Sequence, residues 1–284
     1  METRVSSATR EVTIGDSQPT VLIGERINPA GKKKLAEALK AGDMETVRSE
    51  ALAQAQAGAD ILDVNISTFG INEVALLPQA VKAVMDAVDI PLCLDSTNTE
   101  ALAAALKVYK GKPLINSVTG EEHSLDKILP LVKEYGAAVI GLVQDDEGIP
   151  KDSERRVAIA HKIVERAEAA SIPRSDIIID CLTLAVGADT TSGLAALETA
   201  RRVKAELGVN LTLAVSNISF GLPDRHLPNS AFLAMAIAAG VTCLIVDVAK
   251  TRPMVLAADL ILNRDMRARR YIEAYRQSKE KLAE

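Results

Sequence analysis

Tryptophan is absent from this chain, and three phenylalanines and four tyrosines bring the aromatic share to only 2%. A nucleic-acid platform of stacked rings is thereby excluded, and the interior must be built from Ala, Val, Ile and Leu. Cysteine is as scarce: Cys93, Cys181 and Cys243 lie far apart in apolar runs, with no CxxC or paired-histidine spacing. Reduced core thiols are expected, and neither a disulfide framework nor a bound metal. His123, His161 and His226 are scattered, His161 within a helical pattern. No excess of positive charge exists either: the formal net charge is −5 with Lys and Arg dispersed. The chain therefore lacks a basic stripe for phosphates and a polybasic anchor for anionic lipid, which argues against nucleic-acid and membrane partners. No apolar stretch is long enough to span a bilayer, and Glu2 and Arg4 occupy an N-terminus without an apolar signal region. A cytoplasmic protein is expected.

What the sequence does contain is alternation. Short β-rich apolar runs recur between long Ala-, Glu- and Lys-rich stretches of helical spacing. Eight such runs are present: "TVLIGE" to Glu25, "DILDVN" to Asn65, "PLCLDS" to Ser96, "PLINS" to Ser117, "AAVIGLVQ" to Gln144, "DIIIDC" to Cys181, "LTLAVSN" to Asn217 and "VTCLIVD" to Asp247. Eight strand-helix units in one chain predict a closed (β/α)8 TIM barrel spanning residues 20–284 as a single domain. "DMETVRSEALAQAQAGA", "SERRVAIAHKIVERAEAA" and "SGLAALETARRVKAELG" read as outer helices, the last closed by Gly208, and the charged segment from Asp259 to Glu284 reads as the final helix. Residues 1–19 form an N-terminal extension. There "REVTIGDSQPT" reads as a strand, a turn at Gly15-Asp16 and a lead-in, expected to fold as a hairpin that plugs the barrel bottom.

The strand ends carry the chemistry. Glu25 with Asn28, Asp63 with Asn65, Asp95, Asn116, Gln144 with Asp145, Asp180, Asn217 and Asp247 close the eight runs. In a parallel barrel the carboxyl ends emerge on one face, so these groups converge on the mouth where barrel active sites sit. Residues two apart share a face, pairing Cys93 with Asp95, Leu114 with Asn116, Ile178 with Asp180 and Val215 with Asn217. Any one such acid is commonly a helix N-cap, and Asp145 and Asp247 fit a structural role best. Together they line a pocket of hydrogen-bond acceptors. No strand ends in a lysine for a Schiff base, and "SFGLPDR" offers one glycine where a phosphate cup needs several. A flat heterocycle with a donor edge, such as a 2-amino-pyrimidinone, suits that lining.

The motifs "VLIGERIN" at 21–28, "LDVN" at 62–65, "LCLDST" at 92–97, "INS" at 115–117, "GIPKDSE" at 148–154 and "SNISFGLPDR" at 216–225 resemble those of the methyltetrahydrofolate:corrinoid methyltransferases. That family includes the related folate module of cobalamin-dependent methionine synthase. The resemblance implies a pterin-binding barrel of the dihydropteroate-synthase-like kind, a homodimer, that moves a methyl group between N5 of tetrahydrofolate and the cobalt of a cobalamin-type corrinoid carried by a partner protein. It implies that Asp95, Asn116 and Asp180 hold the pterin and that Asn217 hydrogen-bonds near N5. An amide can donate to a bare nitrogen and accept from a protonated one, so Asn217 would serve N5 through both states without titrating. Gln144, Asn65, Ser216 and Arg225 are further candidates around the folate, each with an ordinary loop or salt-bridge role as the alternative.

Two other readings compete. Dihydropteroate synthase shares the fold and pocket, but its Asn-Val-Thr-Pro-Asp-Ser-Phe opening and final Ser-x-Arg are replaced here by "GERIN" and "VDVAKTRP". The other is a binding component for folate or a corrinoid protein that performs no turnover.

Overall fold

The computed structural model of the protein describes residues 1–281. Its elements run β1 (Glu2–Ser6), β2 (Glu11–Gly15), β3 (Val21–Ile27), α1 (Lys33–Lys40), α2 (Met44–Ala57), β4 (Ile61–Asn65), α3 (Glu73–Ala87), β5 (Leu92–Asp95), α4 (Thr99–Leu106), β6 (Leu114–Thr119) and α5 (Glu122–Tyr135). They continue with β7 (Ala138–Leu142), α6 (Ser153–Ala169), β8 (Ile177–Asp180), α7 (Ser192–Leu207), β9 (Asn210–Thr212), α8 (His226–Ala238), β10 (Cys243–Val246), α9 (Val248–Ile261) and α10 (Arg269–Lys281). The eight parallel strands are ordered β10-β3-β4-β5-β6-β7-β8-β9. Closure comes from Thr242 N donating to Leu211 O at 3.1 Å and Ile245 N to Leu213 O at 3.0 Å, with Ala214 bridging Ile245. The eight-stranded sheet is thereby left without a free edge among the described residues.

Period-two alternation sorts the strand residues between two apolar clusters. One, between strands and helices, holds Leu62, Leu94, Ile115, Val139 and Ile179. The other fills the barrel interior with Ile23, Ile61, Cys93, Leu114, Ile140, Ile178, Cys243 and Ile245. The three cysteines are buried free thiols. Helices start where short polar side chains take up the first orphan N–H groups: Asp43, Asn72, Asn98 and Asp152 cap α2, α3, α4 and α6. Gly208 closes α7 at φ +66°, a conformation that costs other residues more.

The N-terminal hairpin seals the lower end. Val5, Val12 and Ile14 join the interior cluster. The buried Asn210 of β9 donates to Thr3 Oγ1 at 2.9 Å and to Ile14 O at 3.0 Å, while Thr3 Oγ1 donates to Ser175 O at 2.5 Å. Ser6 is tied to Lys112 and Tyr109. The sequence showed only the second hairpin strand and its Gly15 turn; β1, with alternate polar residues, pairs antiparallel to it.

Several boundaries differ from the sequence reading. The seventh barrel strand stops at Thr212, and residues Val215–Ser219 form a 3-10 turn. Val215 packs in the outer cluster, so the expected alternation of Val215 with Asn217 fails. Ser216 and Asn217 compete for the backbone and favour turns once the ladder has ended. The strand before Gln144 ends at Leu142. The last segment is not one helix: Asp259 lies buried inside α9, accepting from Thr20 and Arg270, and the chain turns at Asp265 before α10. Residues 282–284 of that expected helix lie outside the described residues.

Replacing Asn210 by alanine leaves the Ile14 carbonyl and Thr3 hydroxyl short of a buried donor. Urea unfolding should show a loss of about 1–3 kcal/mol.

Candidate functional site

Interior alternation carries four carboxyl groups into the upper barrel. Ile23, Ile61, Cys93 and Ile178 fill the apolar layer, and Glu25, Asp63, Asp95 and Asp180 stand two residues further along the same faces. Asn116 stands likewise above Leu114. Strand register places Asn65 opposite Asp95 and Asp95 opposite Asn116, so these three occupy one level on adjacent strands. Asn65 Nδ2 donates to Asp95 Oδ2 at 2.9 Å, and Asn116 Nδ2 donates to Asp63 Oδ1 at 3.3 Å. None of Asp63, Asp95 and Asp180 caps a helix. The capping side chains lie elsewhere, which removes the ordinary explanation for acids at these ends.

Burial sets their ionisation. It pushes Asp95 up to about 6, against the Asn65 hydrogen bond and with the charge of Glu73 adding to the effect. Asp63, 2% exposed, is raised well above the usual carboxylate range by burial and then by the neighbouring Asp95 charge. Asp180 is pushed to about 7 by burial, opposed by the Leu182 N–H at 2.8 Å and by the Arg156 guanidinium. Glu25 is raised too, chiefly by burial, with Lys32 opposing and Asp247 reinforcing the shift.

A bulge in β3 positions Glu25. Register shifts between Gly24 and Ile27, and the freed Arg26 N–H is captured at 2.8 Å by the buried amide of Gln54 from α2. A Cβ at Gly24 would meet Gln54 Oε1 at 2.4 Å and push that amide off the Arg26 N–H. Lys32 Nζ caps the carbonyls of Glu25 and Arg26 at 3.3 and 2.8 Å.

Arg156, which the sequence reading did not single out, organises the opposite side. Its fully buried guanidinium donates to Pro150 O at 2.7 Å, Cys181 O at 3.1 Å and Leu182 O at 2.8 Å, joining the loops after β7 and β8. Leu182 itself sits at φ +51°. Arg156 Nη2, Thr183 Oγ1 and Thr212 Oγ1 are buried without a protein partner, and Thr212 is the register neighbour of Asp180. Nothing in the sequence marks Arg156 beyond its place three residues into a helix read as amphipathic.

The remaining expected residues divide clearly. Asn217 is exposed on the 3-10 turn; its N–H donates to Ala214 O, and its side-chain amide has no partner among the described residues. Arg225 bonds Ser216 O at 2.6 Å and Ser219 Oγ at 3.0 Å and lies over the Phe220 ring. Gln144 lies on the loop, its carbonyl accepting from Gly120 N at 2.8 Å, and Asn28 Oδ1 accepts from Ala30 N. Asp145 is engaged by Arg155 at 2.9 Å, and Asp247 by Lys250 at 3.1 Å.

Eight strands closed around a mouth of carboxyls and amides define a (β/α)8 barrel, whose ligand sites ordinarily lie at that mouth. A family model described as pterin binding enzyme matches residues 24–247, and the chain belongs to that family. It is 33% identical over 269 residues to methylcorrinoid:tetrahydrofolate methyltransferase of Eubacterium limosum, across 91% of this chain and 97% of that protein. It is 34% identical over 266 residues to methionine synthase of Mycobacterium tuberculosis, across 89% of this chain but 22% of that longer protein. Among solved structures, Yersinia pestis dihydropteroate synthase with a pterin-sulfa conjugate superposes with a TM-score of 0.69 at 15% identity, covering 92% of this chain and 98% of that one. The Xanthomonas albilineans enzyme in complex with 7,8-dihydropteroate gives 0.67 at 21% identity, covering 91% and 98%. These two likenesses concern the fold.

Arg156→Met should cost about 3 kcal/mol or more in urea unfolding, because three buried carbonyls lose their donor. Arg156→Lys should recover only part, since an ammonium cannot reproduce the planar fork. Carboxyl carbon NMR of the methionine variant should place the Asp180 titration above that of the wild type, because the cation that lowers it is gone.

Proposed function

We propose that this chain is a corrinoid-dependent tetrahydrofolate methyltransferase. It would move a methyl group between N5 of tetrahydrofolate and the cobalt of a corrinoid held by a partner protein. The observation that carries the reading is the similarity to the Eubacterium limosum methylcorrinoid:tetrahydrofolate methyltransferase, which runs across nearly the whole of both chains. The mouth supplies the matching chemistry. Asp95 and Asp180 accept from the amino and ring N–H groups of the pterin, and Asn116, bonded to Asp63 below, presents its carbonyl oxygen to the same edge. Asn65 fixes the Asp95 carboxylate, and Arg156 fixes the loop beyond Asp180.

Methyl transfer to or from N5 develops charge on that nitrogen. The Asn217 amide, unengaged by the protein, donates to N5 when it is bare and accepts when it is protonated. Arg225, bonded to Ser216 O, holds the turn that presents it. Gln144 and Ser216 line the rim on the two sides. The corrinoid supplies the cobalt that gives or takes the methyl group; this chain positions N5, keeps it within reach of the open mouth and excludes water. The reading carries with it a homodimer and a cytoplasmic setting; α8 and α9 expose Leu227, Met235 and Ile261, apolar side chains available to such an interface. Among the described residues no helix is long and apolar enough to cross a membrane.

Anaerobic mixing with 5-methyltetrahydrofolate and cob(I)alamin should give methyl-cobalt absorbance faster than the protein-free control; folate binding without transfer to free or protein-bound corrinoid would favour the non-catalytic reading. Asn217→Ala should lower turnover by the equivalent of roughly 2–4 kcal/mol with little change in affinity. Asp95→Ala and Asp180→Ala should each weaken folate binding about ten- to a hundredfold. Since the donors of the pterin edge need ionised acceptors, affinity should fall as pH drops through about 7 and then about 6, the values to which burial pushes Asp180 and Asp95. Calorimetric titration across that range reads the effect.

A further inference from the structure

Asp63 is the most deeply placed acid of the mouth, and the proposed chemistry leaves it unassigned. Its carboxyl lies beside that of Asp95, accepts Asn116 Nδ2 at 3.3 Å and stands opposite Cys93 in the strand register. The titratable groups around it are Asp95 and Cys93 from β5 and Glu25 from β3, with Glu73 of α3 beyond Asp95 and bonded to Ser96 Oγ at 2.8 Å. All of them are acids. Among the described residues no lysine, arginine or histidine forms an ion pair with either Asp63 or Asp95. Two carboxylates in contact, buried and without a cation, cannot both stay ionised.

The deeper group is the one that must give up its charge. Asp95 is the more exposed of the two and keeps the Asn65 amide as a donor to its anion. Asp63 has in Asn116 a donor that a neutral carbonyl oxygen satisfies equally well, and it neighbours Asp95. We propose that Asp63 is a positioning residue held as a neutral carboxylic acid, accepting Asn116 Nδ2 and donating its own O–H to Asp95. The inference rests on the reading of the mouth as a pterin pocket.

Its consequences are specific. With Nδ2 committed to Asp63, the Asn116 carbonyl oxygen is turned to the pocket rather than its amino group. With Asn65 and the Asp63 O–H both donating to it, the Asp95 carboxylate is fixed in one plane and carries the single negative charge of the pair. A pterin edge then meets two oriented acceptors at no cost in reorganisation. Ionisation of Asp63 would remove the donor to Asp95 and place a second anion behind it.

The first measurement needs no folate. Infrared difference spectra at neutral pH should show a protonated-carboxyl C=O stretch in the wild-type protein that Asp63→Asn lacks; identical spectra would overturn the proposal. Stability gives an independent reading. An acid that keeps its proton in the folded state and loses it on unfolding makes stability fall as pH rises above the unfolded value. Asp63→Asn should therefore melt increasingly higher than wild type as pH goes from about 5 to about 8, whereas a pH-independent difference would count against a neutral Asp63. For 5-methyltetrahydrofolate affinity, Asp63→Asn reproduces one acceptor and one donor and should stay within about threefold of wild type, while Asp63→Ala should fall by about tenfold or more. Equal losses in both variants would show that the negative charge itself is needed. If the alanine variant does not fold, the asparagine variant still decides, being isosteric. Failure of the wild type to bind any folate would refute the pterin reading while leaving the infrared result to judge the protonation of Asp63.

Discussion

Carboxyl groups held in a closed barrel with little opposing charge are the constraint around which the rest of this molecule is arranged. Glu25, Asp63, Asp95 and Asp180 stand over an apolar layer; fully buried Arg156 opposes the shift of Asp180 and Lys32 that of Glu25. Keeping Asp180 near 7 instead of 3.8 costs the fold on the order of 4 kcal/mol at pH values above both. The sign follows from the raised value: stability is lost as pH rises through that window. A fold carrying such groups must recover that energy in parts that do no chemistry. The interior cluster extended by the N-terminal hairpin and the continuous outer cluster between strands and helices are those parts.

Much of this arrangement could be read from the chain before any coordinates. Strand runs of alternating register give both the barrel and the inward direction of Asp95, Asn116 and Asp180, because Cys93, Leu114 and Ile178 two residues earlier are apolar and the period is two. The hairpin was half legible: "EVTIG" alternates, but "ETRVS" exposes Glu2 and Arg4 and buries Thr3 through a side-chain hydrogen bond to Asn210, distant in sequence. No periodicity encodes such a partner.

Other features were hidden for different reasons. The seventh run looks apolar as far as Val215, yet the inter-strand ladder ends at Leu213 and Ala214, and Val215 turns outward into the helix layer. Apolar character alone cannot tell a strand residue from a buried turn residue. Arg156 was missed because an arginine on an amphipathic helix ordinarily faces solvent, whereas this one spans two loops from inside. Its signal is the three carbonyls it satisfies, and these exist only in the folded chain. Asp63 was visible as a strand end, but its distinct status depends on the lack, among the described residues, of any ion pair to it or to Asp95.

The placement of Asn217 completes the physical picture. Groups proposed to bind the pterin sit on strands, whose backbones are fixed by neighbours on both sides, and this rigidity keeps costly buried acids in register. The amide proposed to act at N5 sits instead on a short exposed turn, where Arg225 bonds the carbonyl of the preceding residue and a hydroxyl two residues beyond. In the proposed reaction a bulky corrinoid approaches N5 from the open side, which calls for the residue that meets the reacting atom to lie near the rim. A strand position deep among Asp63 and Asp180 would orient it better but deny that approach. Ending β9 early, after three residues, resolves the conflict: the chain leaves the barrel wall after Thr212 and presents an unengaged amide on the exposed 3-10 turn that follows.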